Sequence, residues 1–181
     1  MNDVMVFPNC GSYRRETGLT LDAEICTNDT TLAWADLRWL ADNTALPVVA
    51  KGILHPDDAR SAVAHGAAAV VVSNHGGRQV DGGVPAIETL PSVVAAVGGR
   101  VPVLVDSGIR TGSDVVKALA LGAAAVMIGR PVLWGLAMGG ARGVEEVFGV
   151  LRDEMECDMR SLGCAALVDV GRGVVDVLPP V

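Results

Sequence analysis

Short apolar runs alternate with amphipathic stretches along most of this chain, and polar or glycine-rich residues separate them. Pro47-Val48-Val49-Ala50-Lys51, Ala68 to Ser73, Pro102-Val103-Leu104-Val105-Asp106 and Ala124 to Ile128 are short runs rich in Val and Ala. Their length and branched content predict four strands buried on both faces. Helical patterns lie between them. Pro56 opens one, with Asp57 and Asp58 in the first turn, where the helix dipole favours negative charge, and Gly66 ends it. Pro85 to Val97 predicts a second, in which Pro91 marks a point for a kink or a split. Thr111 or Ser113 caps a third, which runs to Leu121 and stops at Gly122. A helix ahead of the first strand starts at Thr30 or Thr31, puts Leu32, Ala33, Leu37 and Leu40 on one face, and ends at Asn43 and Thr44. Past Gly129-Arg130-Pro131 come a short helical stretch and then a long amphipathic helix. Val144, Val147, Leu151, Met155 and Leu162 share one side of it, and Gly163 is its stop.

Strand, loop and helix repeated in this order imply right-handed βαβ units and a parallel sheet, hence an α/β fold. A doubly wound sheet and part of a β/α barrel both satisfy the pattern. The strand ends favour the barrel. Lys51, Ser73-Asn74-His75, Asp106-Ser107-Gly108 and Gly129-Arg130 all fall at C-terminal strand edges, the rim from which barrel enzymes draw their chemistry. No G-x-G-x-x-G follows the first strand, which weakens the dinucleotide-fold alternative. Residues 1–29 show no period and are expected to be irregular. Residues 30–167 hold the β/α units, and residues 168–181 read as a strand-poor surface tail.

Composition narrows the function classes. A net charge of −7 argues against an electrostatic binder of nucleic acid or membrane, while leaving room for a local positive pocket. Cys10, Cys26, Cys157 and Cys164 form no C-x-x-C pair, so reduced thiols and no metal site are expected. The first residues carry Asp3, Arg14, Arg15 and Glu16 without an apolar core, and the longest apolar stretch, Ala118 to Ile128, is interrupted by Gly122. Neither reads as a signal peptide or a membrane span, so a soluble cytoplasmic protein is expected.

The strand ends carry candidate chemistry. Asp106-Ser107-Gly108-Ile109-Arg110-Thr111-Gly112 places small residues and then Arg before a helix, and Gly129-Arg130-Pro131 repeats the device one strand later. Barrels hold phosphate groups in the loops after their last two strands, where glycine lets backbone N–H groups approach, the helix N-terminus adds positive charge, and Arg forks onto two oxygens. Ordinary turn glycines beside two surface arginines are the plainer account of each motif taken alone. Lys51 closes an apolar run, either to snorkel into solvent or to place a fixed cation over an electron-rich ring. In Ser73-Asn74-His75-Gly76-Gly77-Arg78-Gln79-Val80-Asp81, the glycines let His75 and Arg78 face one pocket. Histidine can exchange a proton near neutral pH, and Arg78 can take a carboxylate bidentately beside it. His55, before Pro56, and His65, late in a helix, read as structural.

With these residues in view, the chain resembles the FMN-dependent 2-hydroxy-acid oxidoreductases: glycolate oxidase, lactate oxidase and monooxygenase, mandelate dehydrogenase and flavocytochrome-type lactate dehydrogenase. Leu46 to Ile53 is similar to the family's lysine strand, Ser73 to Asp81 to its signature around the catalytic histidine, and Asp106 to Arg110 with Gly129-Arg130-Pro131 to its phosphate loops. The similarity runs from about Thr31 to about Leu167. It implies the C-terminal half, four β/α units, of a TIM-type barrel, FMN as cofactor, and oxidation of a small (S)-2-hydroxy acid to the 2-oxo acid. By the same resemblance His75 is the base that takes the substrate proton and Arg78 holds the substrate carboxylate. Lys51 and Ser73 contact the flavin ring. Asp106, Ser107, Gly108, Ile109, Arg110, Gly129 and Arg130 hold the ribityl-phosphate end.

The chain departs from the family in length. A whole barrel takes ~250 residues, and the family's first half brings further flavin contacts, a substrate tyrosine, a second arginine and an aspartate for the histidine. Residues 1–29 supply none of these in a recognisable context, although Tyr13, Arg14 and Arg15 are nominal substitutes. A half barrel leaves open strand edges, so self-association or a complementing N-terminal half is expected. The alternatives are a truncated, non-catalytic FMN-binding remnant and another barrel phosphate binder. The Ser-Asn-His-Gly-Gly-Arg run argues against the last of these.

Overall fold

The computed structural model describes residues 31–176. The chain divides into two units, Met1–Ala33 and Trp34–Val181, and every element below belongs to the second. The irregular segment expected over residues 1–29, the Thr30 cap, Cys10, Cys26, Tyr13, Arg14 and Arg15 lie outside the described residues.

The elements follow the expected order: α1 (Trp34–Asp42), β1 (Val49–Ile53), α2 (Pro56–Ala64), β2 (Ala69–Val72), α3 (Ala86–Val97), β3 (Val103–Val105), α4 (Gly112–Ala120), β4 (Ala125–Val126) and α5 (Arg130–Ser161). The four strands form one parallel sheet in sequence order, β1-β2-β3-β4. Val70, Val72, Val103 and Val105 alternate onto one face and pack with Ala59 and Ala62 of α2, Leu90, Val93 and Val97 of α3, and Ala118 of α4. A doubly wound sheet would reverse its strand order and cover both faces with helices. Unreversed order with the helical core on one face is the arrangement of consecutive β/α units in a TIM-type barrel, here a partial one. The opposite face carries Lys51, Val71, Ser73, Leu104 and Asp106 by register and alternation. β1 and β4 each pair on one side only among the described residues.

Local chemistry explains most element boundaries. His55 caps α2 by accepting the Asp57 N–H at its Nδ1, 3.2 Å away, and Pro56 follows at the first helical position. Thr111 caps α4 in a full capping box with Asp114. Pro91 lies inside α3, which runs unbroken from Ala86 to Val97, so the helix is not split there. β1 runs on past Lys51 to Ile53 because a bulge lets Lys51 pair with Val71 and Ile53 with Val72. α5 is the expected short and long helices run together, broken by non-helical backbone at Gly139 and Gly140. In α1, Trp34 and Leu37 pack against the core, whereas Leu32 and Leu40 of the expected face are exposed. The Trp34 ring stacks on His65 at 6.2 Å. Among the described residues the C-terminal stretch forms two short 3-10 turns and no strand, yet it is not simply surface. Val170 is buried with Val116, Ala120, Met159 and Cys164 in a second apolar cluster. Among the described residues no helix is long and apolar enough to cross a membrane.

Candidate active site

Because the strands are parallel, their C-terminal ends share one rim, and the residues beyond each end meet there. Lys51 comes from β1, Ser73 to Arg78 follow β2, Asp106 to Arg110 follow β3, and Gly129 and Arg130 follow β4. A cleft of about 430 Å³ is lined by Lys51, His75, Arg78, Asp106, Ser107, Gly108, Ile109, Arg110, Gly129 and Arg130, with Met127, Ile128 and Leu133 as its apolar wall. Ser73 is buried just behind and opens on an adjoining cleft shared with Lys51 and His75. Ile109 is 5 % exposed, with its side chain in the core, so its backbone is what it offers the cleft.

Asp106 is the hub of the rim. One carboxylate oxygen meets Lys51 Nζ at 2.7 Å, and the other accepts the Ser107 hydroxyl at 2.7 Å. Burial pushes the Asp106 pKa up, but hydrogen bonds from Lys51, Ser73 and Ser107 and the Lys51 charge outweigh it and hold the carboxyl below its ordinary value. Lys51 also donates to Ser73 Oγ at 2.9 Å. Its amine is thus fixed in place, and much of its charge is matched by Asp106.

The histidine loop is held from several sides. Asn74 Oδ1 accepts the Gly77 N–H, and the His75 N–H donates to Ser73 Oγ at 3.1 Å, closing a single 3-10 turn over His75–Gly77. The Gly76 N–H donates to Ser107 Oγ at 2.9 Å, and the Gly76 carbonyl accepts from Arg130 Nη2 at 3.3 Å. Gly76 has φ +68, and a Cβ there would stand 3.1 Å from the Arg130 guanidinium, so only glycine fits without displacing that arginine. His75 itself sits at φ +58, an uncommon backbone for a residue with a side chain. Its imidazole is exposed to the cleft and has no hydrogen-bond partner among the described residues. Arg78 lines the same cleft. The two histidines read as structural are so placed: His55 caps α2, and His65 Nδ1 lies 2.7 Å from the Ser61 carbonyl.

The cationic end of the cleft is set by helix termini. The N-terminus of α4 is already engaged: the Gly112 N–H donates to Glu154 of α5 and the Asp114 N–H to Thr111 Oγ1, while the Ser113 hydroxyl donates to Asp158 of α5. The N-terminus of α5, at Gly129 and Arg130, has no side-chain cap; Pro131 carries no N–H and the Val132 and Leu133 N–H groups donate to the Gly129 carbonyl, so the helix start offers a ligand its partial positive charge and the backbone N–H of Arg130. Arg110 leans over the Trp134 ring at 5.3 Å, which holds the guanidinium in place beside it. Among the described residues Arg78, Arg110 and Arg130 form no ion pair, so this cleft is positive in a chain of net charge −7. Open space above Gly108 and Gly129 leaves room for a group to approach the backbone. The chemistry of this donor set fits a phosphate group, and Lys51 and His75 line the same cleft. Glu154, Asp158 and Trp134 carry no mark in the sequence, and Asn74 is marked there as part of the histidine loop without a role of its own. The first two act across more than forty positions, and only Asn74, an Asx residue before Gly-Gly, carried a local signal.

A model of the family of FMN-dependent dehydrogenases matches residues 10–177. An L-lactate oxidase of Nostoc sp. is 55% identical over 139 residues, covering 77% of this chain and 38% of the relative. The human 2-hydroxyacid oxidase 1 is 52% identical over 136 residues, covering 75% of this chain and 37% of the relative. The crystal structure of a lactate oxidase of Pediococcus acidilactici superposes with a TM-score of 0.77 at 48% identity, covering 78% of this chain and 40% of that one. The chain therefore spans about two-fifths of the length of these relatives. With four rim motifs in one cleft and a family match across most of its length, the chain belongs to the FMN-dependent dehydrogenase family.

Proposed function

We propose that this chain supplies the histidine-bearing and phosphate-holding side of an FMN-dependent enzyme that oxidises a small (S)-2-hydroxy acid to the 2-oxo acid. The observation that carries the reading is the single cleft shared by His75, Arg78, Lys51, Arg110 and Arg130. Arg110, Arg130 and the uncapped start of α5 hold the phosphate end of FMN, with Gly108 and Gly129 admitting it to the backbone. Lys51, fixed by Asp106 and Ser73, presents its ammonium to the ring. When bound, FMN supplies a two-electron acceptor. Arg78 holds the substrate carboxylate and so sets the hydroxyl-bearing carbon beside His75. His75 takes the hydroxyl proton onto an imidazole nitrogen as the alcohol is oxidised.

The relatives are more than twice as long, and among the described residues the sheet has open edges at β1 and β4. We propose that further β/α units complete the site, on the same polypeptide or through a second chain. A base also needs a neighbour to fix its tautomer, and the described residues give His75 none. That observation favours a second reading, in which the described units bind FMN but turn over no substrate until the complementing half is present.

The test is anaerobic. The chain is loaded with FMN, alone and with a complementing half barrel, and 2-hydroxy acids are added while the flavin absorbance is followed. Bleaching with a small (S)-2-hydroxy acid supports the proposal. Bound flavin that bleaches only with the added half supports the second reading. Bound flavin that bleaches in neither case rejects the catalytic role.

A further inference from the structure

We propose that Ser107 is a positioning residue for His75, through the Gly76 amide. Among the described residues only two non-glycine side chains sit on left-handed backbone, His75 at φ +58 and Ser107 at φ +73. They lie on the loops after β2 and β3, and one hydroxyl joins those loops. Ser107 Oγ accepts the Gly76 N–H at 2.9 Å and donates its only proton to Asp106 Oδ1 at 2.7 Å. Asp106 in turn holds Lys51. A relay of contacts therefore runs from the β1 lysine, through the β3 aspartate and serine, to the peptide bond that follows His75.

Glycine at position 107 would adopt φ +73 freely, whereas serine holds it at a steric cost. Strained backbone of this kind persists where surrounding contacts over-determine it. Here the contacts are the two hydrogen bonds of one hydroxyl, and the left-handed turn is what aims Oγ at the neighbouring loop. The family resemblance set Ser107 among the residues that hold the ribityl-phosphate end, but its hydroxyl donates its one proton to Asp106, so what it can offer that end is its backbone N–H and not its side chain. What the side chain does is lock the orientation of the 75–76 peptide, and with it the direction in which the imidazole enters the cleft. This rests on the reading of His75 as the base only for its catalytic meaning. The brace itself is a property of the chain and is measured without turnover.

The experiment compares Ser107→Gly and Ser107→Ala with the parent chain, with and without FMN. Amide hydrogen exchange is read at Gly76, the His75 imidazole resonances by NMR, and FMN affinity by flavin fluorescence. Glycine removes the hydroxyl and relieves the backbone, while alanine removes the hydroxyl and keeps the strain. Both variants are expected to speed Gly76 exchange roughly tenfold, as loss of one hydrogen bond allows, and to shift or broaden the imidazole signals. Exchange in β2 and β3 stays as in the parent, and FMN affinity changes less than about threefold, since no donor to the cofactor is lost. Unchanged Gly76 exchange in Ser107→Gly overturns the proposal, as does an effect seen in alanine alone, which would trace to strain. A tenfold loss of FMN affinity with Gly76 exchange intact would make Ser107 a cofactor ligand instead. If flavin bound to the chain stays unbleached by 2-hydroxy acids even with a complementing half barrel, but Gly76 responds as stated, the brace stands and the enzymatic reading falls.

Discussion

Lys51 and Asp106 form a 2.7 Å ion pair although their strands are not neighbours: β2 lies between β1 and β3, and the two side chains close over its end above Ser73. The pair thus ties three strand tips together. The folded Asp106 carboxyl ionises below its ordinary value of 3.8. Its contribution to stability is therefore present above that pH and is lost as pH falls through the folded value. Asp106→Asn is expected to cost about 1–3 kcal/mol at neutral pH, the scale of a charged hydrogen bond, with the low end favoured because Lys51 is 40% exposed and can turn to water. Urea titrations from pH 7 down to pH 3 check this. The variant should lose less stability than the parent over the acid limb, and parallel curves would show that Asp106 is not linked to folding.

Arg130 braces the histidine loop from the cleft wall. Its guanidinium donates to the Gly76 carbonyl, and it stands at the uncapped start of α5 beside Arg110. Arg130→Met is expected to weaken FMN binding roughly 10- to 100-fold, the worth of charge-assisted hydrogen bonds to a phosphate, and to leave riboflavin binding nearly unchanged. Fluorescence titration with both ligands separates the cases. Equal losses for FMN and riboflavin would mean that the arginine does not meet the phosphate.

His75 and Arg78 lie in the same cleft but are asked for different work. In protein reconstituted to activity, His75→Gln should lower kcat by about 10²- to 10⁴-fold, the usual yield of a positioned base, while flavin stays bound. Arg78→Lys keeps the charge but loses the planar fork, so KM for the acid should rise more than kcat falls. Steady-state kinetics on the two variants decides this. A His75 variant with parental kcat removes the histidine from the chemistry.

Much of this arrangement was legible in the chain itself, for a physical reason. Period and length mark buried strands, and proline, glycine and capping residues mark helix ends, so Pro56, Thr111 and Gly122 bound their elements as expected. Parallel strands put all their C-terminal ends on one rim, so residues at four strand ends meet without further information. What stayed hidden depends on tertiary distance. Glu154 and Asp158 look like solvated positions on an amphipathic helix, and nothing nearby in sequence shows that they cap α4. The Ser107 link to Gly76 spans 31 positions and needs a left-handed serine, which no local pattern announces. On α1 the periodicity marks Leu37, which packs on the core, but not Trp34, whose contact with His65 lies between elements.

The open sheet makes a prediction about assembly. β1 and β4 have free edges among the described residues, and Val49 and Met127 at those edges are 47% and 39% exposed. Unpaired strand edges beside apolar side chains associate unless covered. Sedimentation velocity at micromolar concentration should show a species larger than one chain, or a one-to-one complex once a complementing half barrel is added. A stable monomer that ignores the added half would mean that these edges are covered by the chain's own residues.

The join between α4 and α5 allows the sharpest test of packing. Gly112 begins α4 with its N–H on Glu154, and a Cβ at Gly112 would fall 2.1 Å from the Met155 backbone nitrogen. Backbone cannot turn aside as a flexible side chain can, so Gly112→Ala must push α5 away. That shift also strains the Ser113–Asp158 contact and the cluster of Val116, Ala120 and Met159 beneath it. The cost is expected on the order of 3 kcal/mol, at the upper end for overpacking, although alanine is the better helix former in isolation. Glu154→Gln keeps an acceptor for the Gly112 N–H and should cost well under half as much. Thermal denaturation of the two variants beside the parent settles the order. An alanine variant as stable as the parent would show that the two helices are not in contact at Gly112.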